Sequence, residues 1–321
     1  MNTLERLAAI VAELLRDDVR RVLLGEDVRQ GGMLGLSRAA MRDPALGLRV
    51  LATPLTPAAC LAHATGLALA GRRPIVLLPS ATAMLEGYAA LRELGRIGAT
   101  SAGERSAPVL IVAPTGPGFG LGGDGADSPD GAIAAIPGLR VAILGDAREA
   151  GAMLRCAANF EDGEGPTVLL LPRALLLREV EDEEVVETLG RPLCAARVVR
   201  EGTAATVFAW GAAVDLACAA VEQSGHDASV VELGGLSPLD VETVVAAAAQ
   251  TGKLVIAHAG GMSFGPGAEL AALLADRAIL HLDAPIVRVC GRAGPLAYPE
   301  EMAGLPDVAA IAAAIHQVVT Y

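Results

Sequence analysis

Short, continuous apolar runs alternate with alanine-rich segments of helical length along most of this 321-residue chain. Residues 74–78 and 108–113 are two such runs, and residues 57–70 form one of the intervening segments. Strands that read as unbroken apolar runs are typical of parallel sheets whose two faces are both covered by helices. The alternation therefore predicts an α/β fold, with first-half strands at 22–24, 49–52, 74–78, 108–113, 141–144 and 167–171.

An acidic stretch divides the pattern into two parts. Six of the nine residues in 179–187 are acidic, and the stretch shows no face to bury. We interpret 179–192 as a solvated linker between a first domain, 1–178, and a smaller second domain, 193–321. In the second domain, strands are expected at 206–210, 228–233, 253–258 and 285–290, and helices at 212–224, 238–250, 267–275 and 308–319.

Several helix limits are also readable from the sequence. Thr3 is the expected N-cap of the first helix. Ser237 followed by Pro238 is the expected start of the helix over 238–250, since proline is favoured at the first helical position. Helices are also expected at 81–94 and 147–159.

Composition excludes several classes of function. The formal net charge is −12, which argues against nucleic acid and anionic membranes as partners. No stretch of about 18 uncharged apolar residues is present, so no membrane-spanning helix is expected. The five cysteines are scattered without paired spacing, which indicates buried thiols in a reducing compartment. The predicted location is the cytoplasm.

The loop over 115–125 is the most glycine-rich segment. It contains a G-x-G-x-x-G pattern at Gly120, Gly122 and Gly125, and Asp146 follows at about the distance expected of a dinucleotide fingerprint. However, the polar segment 126–131 delays the next helix. We therefore favour a glycine-rich loop that can approach a ligand or partner closely, and keep a nucleotide site as the last-ranked alternative.

Other candidate groups are isolated. Ser263 lies in a G-x-S-x-G pattern, but the glycines and proline around it favour a loop over a nucleophile elbow. The histidines lack the spacing of a metal site. His63 is expected to be buried in an apolar helix, whereas His258, at the end of a predicted strand, is the better functional candidate.

An ordered set of short segments runs nearly from end to end of the chain. In the first half they are Leu24-Gly25-Glu26-Asp27-Val28, Thr53-Pro54-Leu55-Thr56, Gly71-Arg72-Arg73-Pro74-Ile75-Val76, Ser128-Pro129-Asp130, Ile136-Pro137-Gly138-Leu139-Arg140-Val141 and Leu169-Leu170-Leu171-Pro172-Arg173. In the second half they are Val230-Val231-Glu232-Leu233, Leu236-Ser237-Pro238-Leu239-Asp240, Thr251-Gly252-Lys253, His258, Gly265-Pro266-Gly267-Ala268-Glu269, Arg288-Val289-Cys290-Gly291 and Pro295 with Tyr298. Together they resemble the β subunit of the 2-oxo acid dehydrogenase E1 component.

The resemblance implies two doubly wound sheets, a transketolase-like pyrimidine-binding domain followed by a smaller transketolase C-terminal-type domain. It also implies thiamine diphosphate with Mg²⁺, held between this chain and an E1α-like partner in an α₂β₂-like or homodimeric assembly, and an E2-type acyltransferase core as a further partner. By family position, the cofactor-binding residues are Glu26, Leu55, Pro57 and Ser80. No residue is assigned as a metal ligand.

The chain departs from the family at four positions that carry chemistry. Pro57 stands where the family has the glutamate that activates the aminopyrimidine, and Ser80 lies in the segment that supplies its aromatic shelf. Gly125 and Ala135 stand where the family has active-site histidines. No catalytic residue is therefore assigned, and a degenerate, partner-binding subunit is the favoured interpretation.

Two alternatives remain open. An active subunit could take the missing groups from its partner, with Glu26 and Asp27 as the acids best placed to assist. A nucleotide-binding protein that uses the glycine-rich loop ranks below the active subunit.

Overall fold

Two sheets organise the computed structural model, which describes residues 1–160 and 164–321. Their strands are β1 (Arg21–Gly25), β2 (Val50–Ala52), β3 (Arg73–Leu77), β4 (Leu110–Thr115), β5 (Arg140–Ile143), β6 (Thr167–Pro172), β7 (Arg197–Arg200), β8 (Ala205–Ala209), β9 (Ala228–Glu232), β10 (Gly235–Ser237), β11 (Leu254–His258) and β12 (Val287–Cys290). The first sheet has the order β10-β5-β6-β4-β3-β1-β2 and the second β12-β11-β8-β9-β7. Within them β1–β6 are parallel, as are β8, β9, β11 and β12, so the predicted α/β class is confirmed.

Helices cover both sheets. They are α1 (Thr3–Asp17), α2 (Arg38–Met41), α3 (Pro57–Leu69), α4 (Ala83–Glu86), α5 (Tyr88–Thr100), α6 (Asp130–Ala134), α7 (Ala150–Ala158), α8 (Arg173–Leu176), α9 (Ala213–Ser224), α10 (Val241–Thr251), α11 (Pro266–Arg277) and α12 (Val308–Val319). Side chains of α1 and α7 pack on one face of the first sheet, and those of α3 and α5 on the other. That second core continues into the second sheet through Phe208, Trp210 and Ile256.

The first sheet takes its edge strand from the second half of the chain. β10 pairs antiparallel with β5, joining Gly235 to Ala142 and Ser237 to Val141. The sequence does not predict this strand, because three residues are too few for a readable apolar pattern. Since β10 crosses from one half to the other, the division into 1–178, 179–192 and 193–321 stays a prediction.

Three expected helix limits were wrong. Ser237 lies in β10, and α10 begins after Asp240, whose side chain accepts from the Thr243 amide. Asn2, rather than Thr3, caps α1, in a reciprocal arrangement with Glu5. The helix expected over 81–94 is two helices.

Gly87 separates those two helices for a packing reason. A Cβ atom at Gly87 would lie 2.7 Å from Cδ1 of Leu61 and 3.3 Å from the Ala58 nitrogen. The break between α4 and α5 therefore lets the backbone pass directly against the first turns of α3.

One helical segment, Tyr298–Val319, is long and apolar enough to cross a membrane by length and composition alone. It joins a 3-10 turn, Tyr298–Gly304, to α12. Buried residues of α12, such as Ile311 and Ile315, pack with α9 and the second sheet, which is the environment of a core helix. The expected absence of a membrane partner stays a prediction.

A buried ionic cluster joins the two halves. Glu232, fully buried at the end of β9, accepts from Nε of Arg197 at 2.6 Å. Arg197 also lies 3.1 Å from Glu149, a buried residue that follows β5, and Arg191 donates to both oxygens of Glu149. Taking these charges out of water is costly, so the cluster is tolerable only while every partner is in place.

We expect Arg197→Ala to lower the free energy of unfolding by about 3–5 kcal/mol, because it leaves the Glu232 carboxylate buried without a cation. Arg96→Ala is the matched control, since Arg96 pairs with Glu93 on the surface of α5 and such pairs contribute less than about 1 kcal/mol. Urea unfolding of the purified variants measures both values. Equal losses in the two variants would contradict the importance of the cluster.

Candidate functional site

The four positions assigned to cofactor binding lie at the edge of the first sheet that is formed by the carboxyl ends of its strands. Glu26 directly follows β1, Leu55 and Pro57 follow β2, and Ser80 follows β3. These strands are neighbours and parallel, so their carboxyl ends meet. From β1 the chain passes outward to β2, whereas from β3 it passes the other way to β4, which makes this edge a topological switch point.

Pro57 occupies the first helical position of α3 and is buried. Thr56, which precedes it, makes no side-chain cap, so proline's fixed φ is what sets the start of this helix. A proline side chain can neither accept nor donate a proton. At the position where the resemblance predicts an activating carboxylate, this chain therefore has a helix-starting residue.

Glu26 is the candidate carboxyl group that remains. Its pKa is raised by burial, and further by the negative charges of Asp27 and Glu86. Its charge also adds to the burial that raises the pKa of the Cys60 thiol on α3. Glu86 was missed by sequence analysis, because an acid at the end of a short surface helix carries no local signal.

Ser80 is used within its own loop. Its hydroxyl lies 2.6 Å from that of Thr82 and accepts from the Ala83 amide at 3.1 Å, at the start of α4. Leu55 is 78% exposed. Neither side chain offers an aromatic face, so the residues at this edge do not fit the aminopyrimidine half of thiamine diphosphate as the family binds it.

The glycine-rich loop after β4 is filled by a carboxylate from the other end of the chain. Glu301, which is 4% exposed, accepts from the amides of Gly118, Phe119 and Gly120 through Oε1 and from that of Gly122 through Oε2. The distances to Phe119, Gly120 and Gly122 are 3.0, 3.1 and 2.9 Å. Successive backbone amides that converge in this way form an anion nest.

Glu301 is held in its ionised form by these donors. Burial raises its pKa, but the four backbone amides together outweigh burial and leave the pKa below its usual value. Arg173, also buried, donates to the Gly116 carbonyl at the base of the same loop. The sequence offered no signal for this contact, because some 180 residues separate its two sides.

The occupied anion nest argues against a nucleotide site in the glycine-rich loop. A dinucleotide fingerprint needs free amides and a helix that begins at the loop. Here Glu301 occupies the amides, a 3-10 turn (Gly123–Ala126) follows, and α6 begins only at Asp130. Asp146 accepts three hydrogen bonds from the guanidinium of Arg148.

Gly125 and Ala135 follow β4 rather than β1, β2 or β3. Gly125 is in the 3-10 turn, and Ala135 is exposed at the end of α6. Ala135 and Gly131 line a cavity of about 590 Å³ between α6, β10 and α11. Small side chains at both positions leave this cavity open.

Asp130, the first residue of α6, is a buried acid beside that turn. Burial raises its pKa to about 6, and Thr115 opposes the shift by donating to Oδ1 at 2.9 Å. From the sequence, Asp130 is identified only as part of the family-like segment Ser128-Pro129-Asp130. Its burial follows from the packing of α6 under the glycine-rich loop.

The other candidates from the sequence, two histidines and a serine, differ in their burial. His63 is exposed on α3, so its expected burial was wrong: the imidazole lies on the outer face of the helix. His258 is 1% exposed at the end of β11, where its ring stacks on Trp210 with centroids 4.6 Å apart. Ser263 is exposed in a loop, and α11 begins three residues later at Pro266, as the loop interpretation predicts.

We expect Glu301→Ala to release the glycine-rich loop. The four amides would lose a charged acceptor, and hydrogen bonds to charged groups contribute about 1.5–3 kcal/mol each. Hydrogen–deuterium exchange should therefore become faster over residues 116–125 in the variant. Glu300→Ala is the control, since Glu300 pairs on the surface with Arg292, and unchanged exchange in Glu301→Ala would show that the nest does not hold the loop.

Two protein-family models match most of this chain. The model of the transketolase pyrimidine-binding domain matches residues 1–178, and that of the transketolase C-terminal domain matches residues 195–311. Among solved structures, a split-gene transketolase described as an inactive β4 tetramer superposes with a TM-score of 0.76 at 22% identity, covering 100% of this chain and 98% of that one. Transketolase from Leishmania mexicana gives 0.70 at 20% identity, covering 98% of this chain and 45% of that one.

Curated relatives are more similar in sequence. The 2-oxoisovalerate dehydrogenase subunit β of Pseudomonas aeruginosa is 30% identical, covering 99% of this chain and 95% of the relative. The pyruvate dehydrogenase E1 component subunit β of Staphylococcus epidermidis is 32% identical, covering 88% of this chain and 86% of the relative. The chain therefore belongs to the transketolase-like family of 2-oxo acid dehydrogenase E1 β subunits.

Proposed function

We propose that this chain is a non-catalytic E1β-type subunit that pairs with an E1α-like partner and serves assembly or regulation of a thiamine diphosphate-dependent 2-oxo acid dehydrogenase. The observation that carries the proposal is Pro57. It begins α3 at the switch-point edge, where the family's mechanism needs a carboxylate on the aminopyrimidine. General acid–base assistance of this kind is worth about 10²–10⁴ in rate.

The other substitutions act in the same direction. Ser80 replaces a stacking surface with a small hydroxyl that is bound to its own loop. Gly125 and Ala135 have no group that could transfer a proton. With acid, base and stacking surface all absent, the fold supports binding to another chain better than it supports turnover.

The surface near this edge suits a partner chain. Leu55, which precedes α3, and Leu85, on α4, are 78% and 41% exposed. The outer face of α3 is largely apolar as well, since Ala59, Ala62 and Gly66 are exposed there together with His63. Apolar surface of this kind is typical of interaction sites.

The partner is proposed to be an E1α-like subunit, in an α₂β₂-like assembly. The alternative assembly is one of identical chains. The split-gene transketolase with the same fold, which is described as an inactive β4 tetramer, supports this alternative. We also propose an E2-type acyltransferase core as a further partner and the cytoplasm as the location of the protein.

The main alternative is an active subunit that obtains its missing groups from the partner. Glu26 favours this alternative, because it is a carboxyl group at the switch-point edge whose pKa is raised by burial and by neighbouring acids. A nucleotide site in the glycine-rich loop ranks last, since Glu301 occupies the loop amides.

Restoring the carboxylate separates the two main alternatives. With the E1α-like partner present, we expect Pro57→Glu to bind thiamine diphosphate and Mg²⁺ at least ~10-fold more tightly than the unmodified chain, while 2-oxo acid decarboxylation stays at background. Calorimetric titration measures the first and product assay the second. Pro54→Glu, which adds the same charge three residues earlier on an exposed turn, should change neither.

If the unmodified chain already supports turnover, or if Pro57→Glu lowers an existing activity, the non-catalytic assignment is wrong and the active alternative takes its place.

A further inference from the structure

Cys290 and His258 form a thiol–imidazole pair at the carboxyl ends of β12 and β11. The Cys290 sulfur lies 3.1 Å from Nε2 of His258. The two strands are parallel neighbours, and these residues are paired in register, so the sheet itself holds the contact.

The second nitrogen of the ring fixes the roles within the pair. Nδ1 of His258 lies 2.7 Å from the Ala259 carbonyl oxygen, an acceptor only, so Nδ1 carries the proton. Nε2 is then the acceptor, and the Cys290 thiol donates to it. The Trp210 ring, stacked at 11° on the imidazole, holds this orientation.

Burial keeps the His258 imidazole neutral, so that Nε2 has a lone pair with which to accept a proton. Burial lowers its pKa, the Ala259 hydrogen bond opposes the shift, and the positive charge of Arg288 adds to it. Burial raises the pKa of the Cys290 thiol, and Arg288 opposes that shift. At neutral pH the pair is thus a thiol beside a neutral base.

The other cysteines lack such a base among the described residues. Cys60 is fully buried. Cys156, Cys194 and Cys218 are half-buried, like Cys290, and burial raises the pKa of each thiol, for Cys194 to about 11. Cys290 differs in its imidazole contact and in its position on β12, an edge strand along which every side chain is partly exposed.

We propose that Cys290 is an S-modification site of this chain, at which His258 acts as the base for exchange with low-molecular-weight disulfides. The Cys290 sulfur attacks one sulfur of the disulfide, a protein–thiol S–S bond forms, and the original S–S bond breaks. The proton of Cys290 passes to Nε2 of His258 and then to the departing thiolate. The disulfide is the oxidant, so atoms and electrons balance.

The proposal is independent of the thiamine diphosphate site. Neither residue lies at the switch-point edge of the first sheet, and the exchange needs no cofactor. Removal of the thiol proton by a positioned base is worth about 10²–10⁴ in favourable cases, and partial burial reduces access. We therefore expect an advantage of at least ~10-fold for Cys290 over the other half-buried thiols.

The test is a site-resolved rate measurement on the full chain. Glutathione disulfide is added, the reaction is stopped at intervals by acid, and each cysteine peptide is quantified by mass spectrometry. Cys290 should form the mixed disulfide at least ~10-fold faster than Cys156 and Cys218, the half-buried controls. A Cys290 rate equal to or below theirs overturns the proposal, whatever the behaviour of any variant.

Two variants then test the base. His258→Phe keeps an aromatic ring against Trp210, and His258→Asn avoids added bulk beside Gly267, which packs on the imidazole. In either folded variant the Cys290 rate should fall to that of Cys156 and Cys218, which should themselves be unchanged. An undiminished Cys290 rate in a folded variant would show that His258 is not the base.

Trp210, the only tryptophan, supplies an independent readout. Because its ring stacks on His258, an adduct on Cys290 should change its fluorescence with the same time course as the mass shift. Cys290→Ser should abolish the change. A fluorescence change that persists in Cys290→Ser would place the modification elsewhere and contradict the proposal.

Discussion

The contact on which the arrangement of both halves depends is the ion pair between Arg197, on β7 of the second sheet, and the buried Glu149, which follows β5 of the first. Arg197 is held in place by Glu232, its cross-strand partner on β9, and Glu149 is also bound by Arg191. Charged groups in such a place add little net stability over apolar ones, but they penalise every arrangement in which a partner is displaced. The antiparallel pairing of β10 with β5 fixes the register of the same junction. With this junction fixed, the segment carrying Glu301 can reach the glycine-rich loop of the first sheet.

The glycines that shape this scaffold have packing and backbone roles that the structure shows, whereas the positions assigned by resemblance to the family's chemistry carry no group that could perform it. Gly87 allows a close approach to α3, and the glycines at 118, 120 and 122 adopt positive φ so that their amides converge on Glu301. At the switch-point edge, by contrast, Pro57 has no titratable group and the Ser80 hydroxyl serves its own turn. This contrast is the physical basis for proposing a binding role rather than a catalytic one.

Sequence patterns predicted the parts of the fold that depend on local burial. The runs at 74–78 and 167–171 became β3 and β6 within one residue at each end, because a strand buried on both faces must be apolar throughout. The short strand β10 and the true start of α10 were not predictable, since each depends on contacts with β5 or on a cap read only in three dimensions. His63 was misplaced because an apolar helix gives no signal of which face is outward. Glu301 and the pairing of Cys290 with His258 arise from tertiary contacts between distant segments, which no spacing rule describes.

The central claim is that this E1β-type chain does not support thiamine diphosphate chemistry. The most direct test is to titrate thiamine diphosphate with Mg²⁺ into the purified chain assembled with its E1α-like partner, and to assay the same sample for decarboxylation of 2-oxo acids. The account predicts a stable assembly with weak or absent cofactor binding and no decarboxylation above background. Tight cofactor binding together with 2-oxo acid decarboxylation would contradict it.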